Sequence, residues 1–244
     1  MVQPAGREPR AHWVGRLCAR LCIAFATVLL FSACAAPRDE AAPKPTTPKL
    51  VLIGDSYAAL VPEHGVDYPW PEQVRDAWGV PSSSCKIFRH GGYGFGVANG
   101  HFVDLLSSEP VDPAVTHVLV VGGAGNDRNL PADEALSWYR ATLDRLRELY
   151  PNATIMHTIT SWDLRDTTYQ EKIVKRIPWY QEAADEAGVV YLHGCETALR
   201  KHPECFLNDG RHPNQEGQQV MGAAIIEALH AADVLPAEHS KDGS

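Results

Sequence analysis

From about Lys49 to Pro236 short apolar runs alternate with longer amphipathic ones. The pattern predicts strands at Leu50–Ile53, Cys85–Phe88, His117–Val121, Thr154–Thr158 and Val189–Leu192. The third of these has the near-continuous apolar character of a strand covered on both faces. Helices are expected at Trp70–Trp78, Val97–Leu106, Pro131–Tyr150, Tyr169–Ala187 and Gln215–Ala232. The clearest is Pro131–Tyr150, where Leu136, Tyr139, Leu143, Leu146 and Tyr150 step by three and four. Pro71 suits a first helical turn, Pro178 should interrupt or bend its helix, and Gly188 suits a C-terminal stop. Strands alternating with helices predict a parallel five-stranded sheet covered on both faces, a three-layer α/β/α sandwich.

Composition is that of a globular protein, 45% hydrophobic and 21% charged. With 22 Lys+Arg against 30 Asp+Glu the formal net charge is −8. That balance argues against a nucleic-acid or polybasic membrane partner, because both need clustered Lys and Arg. A monomer is the expected state.

The first 34 residues are read as a signal segment. Arg7, Arg10, Arg16 and Arg20 precede an uncharged run from Leu21 to Ala36. That run is shorter than the roughly 20 apolar residues of a permanent span. The stretch ending Ser32-Ala33-Cys34 resembles a bacterial lipobox, with Phe31 where Leu is usual, and would make Cys34 a lipidation site and membrane anchor. Ala33-Cys34-Ala35 also fits an ordinary secretory cleavage site, and an uncleaved anchor is a third reading. The protein is thus expected to be exported, either as a lipoprotein on the outer face of the cell membrane or secreted. Residues 35–48, with four prolines, read as an extended tether, residues 49–236 as the domain, and 237–244 as a polar tail.

Ligands in such sheets bind beyond the carboxyl ends of the strands. Gly54-Asp55-Ser56-Tyr57 follows the first strand, Gly91-Gly92-Tyr93-Gly94 the second, and Gly122-Gly123-Ala124-Gly125-Asn126-Asp127 the third. Asp209-Gly210-Arg211-His212-Pro213 precedes the last helix. A serine hydroxyl is a weak nucleophile and needs a base within hydrogen-bond reach. His212 can supply it, and Asp209 can orient the imidazole and stabilise the imidazolium that forms. The oxyanion of a tetrahedral intermediate needs pre-aimed donors. The backbone N–H groups of Ser56 and Gly92 and the amide of Asn126 are candidates, with Gly91 and Gly94 competing for the glycine position. Tyr57, Tyr93 and Trp162 are candidate pocket residues. Asp163 either lines the same rim or caps the next segment. Asp55 and Asp127 are expected to fix loops, and His90 to be structural.

On these blocks the chain, from Lys49 to Ala232, resembles an SGNH-type (GDSL-like) serine hydrolase. Ser56 matches the nucleophile block, Gly92 and Asn126 the oxyanion blocks, and Asp209 with His212 the closing Asp-x-x-His block. Tyr57 stands where the family usually has Leu, and the third block reads Ala124-Gly125-Asn126-Asp127. The resemblance implies a flavodoxin-like sheet, no metal or other cofactor, and an ester hydrolase working through an acyl-enzyme. A short acyl group, such as acetyl on a cell-envelope carbohydrate, is the substrate expected. An acyltransferase, a lipase- or lysophospholipase-like esterase, and a non-catalytic binding lipoprotein are the rival readings.

Six cysteines are present. Beyond the signal segment, Cys195 and Cys205 flank a loop-like stretch and are expected to pair as a disulfide, leaving Cys85 buried and free. A zinc site from Cys195, Cys205, His193 and His202 lacks a C-x-x-C pair and is the weaker alternative.

Overall fold

The computed structural model describes residues 49–59, 65–97 and 99–235. The signal segment with Cys34, the 35–48 tether and the 237–244 tail lie outside the described residues. Five strands form one sheet: β1 (Leu50–Gly54), β2 (Cys85–Arg89), β3 (His117–Val121), β4 (Thr154–Thr158) and β5 (Val190–Tyr191). The order is β2-β1-β3-β4-β5 and every pairing is parallel. The chain steps from β1 to β2 on one side and then crosses back to β3 on the other. That reversal opens a crevice above the carboxyl ends of β1 and β3. Register brings those ends level, since Gly54 pairs with both Arg89 and Val121.

Alternate side chains along each strand enter different layers. Val51, Ile53, Val118, Val120 and Ile155 pack with Tyr139, Leu143, Leu146, Ile173 and Tyr180 of helices α3 (Ala132–Leu149) and α4 (Thr167–Glu186). Leu50, Leu52, Leu119, Val121 and Met156 pack on the other face. Their neighbours are Trp70 and Val74 of α2 (Trp70–Ala77) and Met221, Ile225 and Leu229 of α5 (Gln215–Ala231). The three-layer α/β/α architecture is as the pattern predicts.

Two elements depart from expectation. Among the described residues of 97–106 there is no α-helix, and a 3-10 turn, Phe102–Leu106, is present. Gly94 bridges to His101 instead, and the Phe102 N–H donates to the Gly94 carbonyl at 2.7 Å. Gly100, at φ +146°, makes a continuous helix costly there. Conversely, α4 runs unbroken through Pro178. Pro178 is exposed, as is Val174, whose carbonyl the proline leaves without its helical donor, so water can take the missing donor's place.

Candidate active site

Ser56 is the first residue of a one-turn helix, Ser56–Ala59, that follows β1 directly. The backbone of that turn is set by Asp55. Its side chain accepts from the Tyr57 N–H at 2.9 Å, and its carbonyl accepts from the Ala58 N–H at 3.0 Å. At the far end of the domain, Asn214 caps α5 by accepting from the Gly217 N–H at 2.9 Å. The start of α5 is pressed against the preceding turn. A Cβ on Gly217 would lie 2.2 Å from the Cys205 carbonyl oxygen, so only glycine fits. This anchoring presents residues 209–212 to the crevice.

The two segments meet. His212 Nε2 lies 3.2 Å from Ser56 Oγ, and His212 Nδ1 lies 2.6 Å from Asp209 Oδ2. Asp209 Oδ1 also accepts from the backbone N–H groups of Arg211 (2.9 Å) and His212 (3.0 Å). Burial opposes ionisation of Asp209, but these donors outweigh it and hold the carboxyl down at about 2. An ionised Asp209 accepting at Nδ1 leaves Nε2 as the acceptor facing Ser56. The ring of His212 packs edge-on to Tyr57, with centroids 6.0 Å apart.

Ser56, Gly91, Gly92 and Asn126 line the same cavity. Among the described residues, the backbone N–H groups of Ser56, Gly91 and Gly92 have no acceptor, so Gly91 stays a competitor of Gly92. Gly92 has φ +80°, a left-handed conformation that favours glycine. The N–H of Gly94 is taken by the Gly100 carbonyl, which removes that competitor. Asn126 donates from Nδ2 to the Tyr93 carbonyl at 2.7 Å and approaches Asp55 Oδ2 at 3.4 Å. One amide proton holds the β2 loop in place, and the other is available to a ligand or to Asp55.

The cavity is about 360 Å3 and open to solvent. Its remaining walls are Asp55, Tyr57, Arg128, Ser161, Tyr169, Arg211 and His212. Tyr57 is therefore a wall residue as expected, but Tyr93 and Trp162 are not. The Tyr93 ring lies against His90, with centroids 4.0 Å apart, and contributes its carbonyl to Asn126. The indole of Trp162 lies under the Arg200 guanidinium at 4.6 Å, and only its backbone faces Tyr57. Asp163 caps neither α4, whose N-cap is Asp166, nor a pocket wall. It accepts from the Arg165 N–H and from Arg211 Nε at 2.6 Å. Asp127 accepts from the N–H groups of Phe95 and Gly96, the loop-fixing role expected of it.

Arg128, Ser161, Tyr169 and Arg211 were not singled out by the sequence. Arg128 lies two positions after Asn126, and Arg211 directly precedes His212, so proximity to the blocks was the available signal. Tyr169 is brought in by α4 and carries no such mark.

The expected Cys195–Cys205 disulfide is not formed; both thiols are free, as is the half-buried Cys85. Cys195 Sγ instead donates to the Ala224 carbonyl of α5 at 3.6 Å. Burial pushes its thiol up to about 12 and that of Cys205 up to about 11. Nor do the four residues weighed for zinc converge. Among the described residues the three groups with ligand atoms within 4.8 Å of one another are His202, Glu204 and Cys205. There His202 Nδ1 already pairs with Glu204 at 3.0 Å.

A parallel 2-1-3-4-5 sheet with a serine after β1 and a histidine before the last helix is the α/β fold of SGNH hydrolases. The model of the GDSL-like lipase/acylhydrolase family matches residues 52–220, and the chain belongs to that family. It is by that membership a carboxylic ester hydrolase. Similar solved structures include a carbohydrate esterase family 2 enzyme with its carbohydrate-binding domain from Corynascus thermopiles. It has 14% identity and TM-score 0.59, over 77% of this chain and 67% of that one. Phospholipase A1 from Streptomyces albidoflavus has 15% identity and TM-score 0.52, over 77% and 100%. The psychrotrophic esterase EstA from a Pseudoalteromonas species has 18% identity and TM-score 0.54, over 75% and 97%. At these identities the likeness is one of fold. No curated protein matches the chain.

Proposed function

We propose that this protein is an exported serine esterase whose nucleophile is Ser56, base His212 and orienting carboxylate Asp209. The observation that carries the reading is the continuous chain from Ser56 Oγ to His212 Nε2 (3.2 Å) and from His212 Nδ1 to Asp209 (2.6 Å), beside unpaired N–H groups. His212 takes the Ser56 proton as Oγ attacks the ester carbonyl. The oxyanion is held by the N–H groups of Ser56 and Gly92 and by the Asn126 amide, each worth on the order of 3 kcal/mol. His212 then returns the proton to the leaving alcohol, and water activated by His212 releases the acid from the acyl-enzyme.

The substrate proposed is a short-chain ester, such as acetyl on a cell-envelope carbohydrate. A small cavity open to solvent suits a compact acyl group on a larger polymer, and a carbohydrate esterase is among the neighbours of like fold. The arginine-then-apolar leader and the proline-rich tether support export, with anchoring through Cys34 as the membrane-bound form.

Labelling with a fluorophosphonate tests the nucleophile. Wild type should form one adduct, at Ser56, and Ser56→Ala none. A wild type that resists the reagent would favour the binding-protein reading. Esters of p-nitrophenol from acetate to palmitate, run beside acetylated polysaccharides and a phospholipid, test the acyl group. Rates should fall with chain length, and a palmitate or phospholipid optimum would move the reading to a lipase.

A further inference from the structure

Two guanidinium groups share one aromatic wall of this cavity. Arg128 Cζ lies 4.9 Å and Arg211 Cζ 5.0 Å from the centroid of the Tyr169 ring, and all three residues line the space above Ser56. In a chain carrying eight more acidic than basic residues, such a grouping stands out. Each arginine is fixed from behind and left with donors to spare. Arg211 gives Nε to the buried carboxylate of Asp163, and neither of its Nη atoms has a partner among the described residues. Arg128 gives Nη1 to the Gly125 carbonyl at 2.9 Å, and no carboxylate among the described residues pairs with it. A guanidinium held by its stem and by one donor keeps a planar fork that matches a carboxylate or phosphate. The same side chains stacked on Tyr169 lose little freedom on binding.

Resting on the esterase reading, we infer that the preferred substrate carries a negative charge close to the scissile ester, and that Arg128 and Arg211 are the residues that select it. On an envelope carbohydrate this describes an acylated acidic sugar. Carboxylate and phosphate are recognised by the same chemistry. The other charges at the cavity do not reverse the argument. Asp163 is spent on Arg211, Asp209 keeps its charge but does not line the cavity and is held by His212 and two backbone N–H groups, and Asp55 is a buried acid held up at about 7 by desolvation, hence largely uncharged below neutrality.

Matched ester pairs test the inference, with charge on either side of the bond. On the acyl side mono-p-nitrophenyl glutarate is compared with p-nitrophenyl butyrate, and on the alcohol side 4-acetoxybenzoate with 4-acetoxybenzamide. Glutarate and glycerol phosphate as inhibitors separate the two anion types. In at least one pair wild type should favour the anion about tenfold in kcat/KM, a hydrogen-bonded charge discounted for solvent exposure. That ratio should shrink at high salt. Arg128→Gln should erase it, and Arg128→Lys should keep part of it. Equal rates within both pairs, or a ratio unmoved in Arg128→Gln, overturn the anion preference while leaving the esterase standing. No turnover of any ester, charged or neutral, overturns the esterase reading and this inference with it.

Discussion

The phenol oxygen of Tyr57 lies 2.6 Å from the carbonyl oxygen of Arg211, and the same distance from that of Trp162. The residue after Ser56 in the chain is thereby tied to the residue before His212. The Trp162 N–H donates back to the same phenol at 3.0 Å, so three segments meet at one hydroxyl. Where the family usually has leucine, this chain has a polar strut between the nucleophile and the base.

Tyr57→Phe keeps the ring that packs against His212 and removes only that strut. It leaves a part-buried carbonyl and a part-buried N–H without their partner, which costs about 1 kcal/mol. Urea unfolding should show that loss. Turnover should fall about tenfold in kcat with little change in KM, because the base is displaced and not the pocket wall. An unchanged kcat beside the lost stability would make the strut a matter of folding alone.

Asn126→Ala separates two uses of one amide. The bond to the Tyr93 carbonyl positions the β2 loop, and the second proton, 3.4 Å from Asp55 Oδ2 at the donor, is the one that can turn to the oxyanion. If both are lost, kcat should drop about a hundredfold or more. Steady-state kinetics on a short ester decide: a change confined to KM reassigns Asn126 to substrate binding.

The order of elements, the rim and the Ser56–His212–Asp209 grouping were legible because each rests on a local signal. Strand and helix periods differ, and turn residues cluster at strand ends. Apolar spacing from 97 to 106 suggests a helix, while Gly100, at φ +146°, breaks it and leaves a bridge and a 3-10 turn. The pairing of Cys195 with Cys205 was inferred from nearness in sequence, but a sulfur's direction depends on which layer its turn is packed into. Trp162 was placed on the correct loop, yet which side of a loop faces the cavity depends on partners such as Arg200, 38 positions away. Tyr169 was invisible for the same reason, since α4 reaches the cavity only through tertiary packing.

Asp55→Asn probes a buried acid beside the nucleophile. Burial is the main cause that raises the Asp55 carboxyl from an ordinary 3.8 to about 7, with Asp127 adding to it and the Tyr57 N–H opposing it. A carboxyl raised on folding binds its proton more tightly in the native state. Its contribution to stability is full below the unfolded value and is lost as pH rises through about 7. Asparagine keeps an oxygen for the Tyr57 N–H and has no charge to desolvate. Between pH 4.5 and 8 the variant should therefore gain on wild type, by about 3 kcal/mol. Parallel stability curves would show that Asp55 does not titrate in this window.

His157 should produce the opposite slope. It is fully buried on β4 among Phe95, Tyr139, Tyr180 and Tyr191, with ring centroids 5.1–5.6 Å away. Nε2 donates to the Gly122 carbonyl at 3.1 Å, and Nδ1 has no partner. Burial lowers its value to about 4, only partly offset by Gly122. A histidine depressed on folding binds fewer protons in the native state, so stability is present above about 6.5 and is lost as pH falls toward 4. Over that window the Asp55 and His157 slopes have opposite signs and largely cancel each other. His157→Phe suits the aromatic surroundings but strands the Gly122 carbonyl, so at pH 7 it should be less stable by about 1 kcal/mol. By pH 4.5 that deficit should have reversed, with a relative gain on the order of 3 kcal/mol. Denaturant midpoints at the two pH values measure it, and a deficit that stays constant would mean the buried imidazole never charges on unfolding in this range.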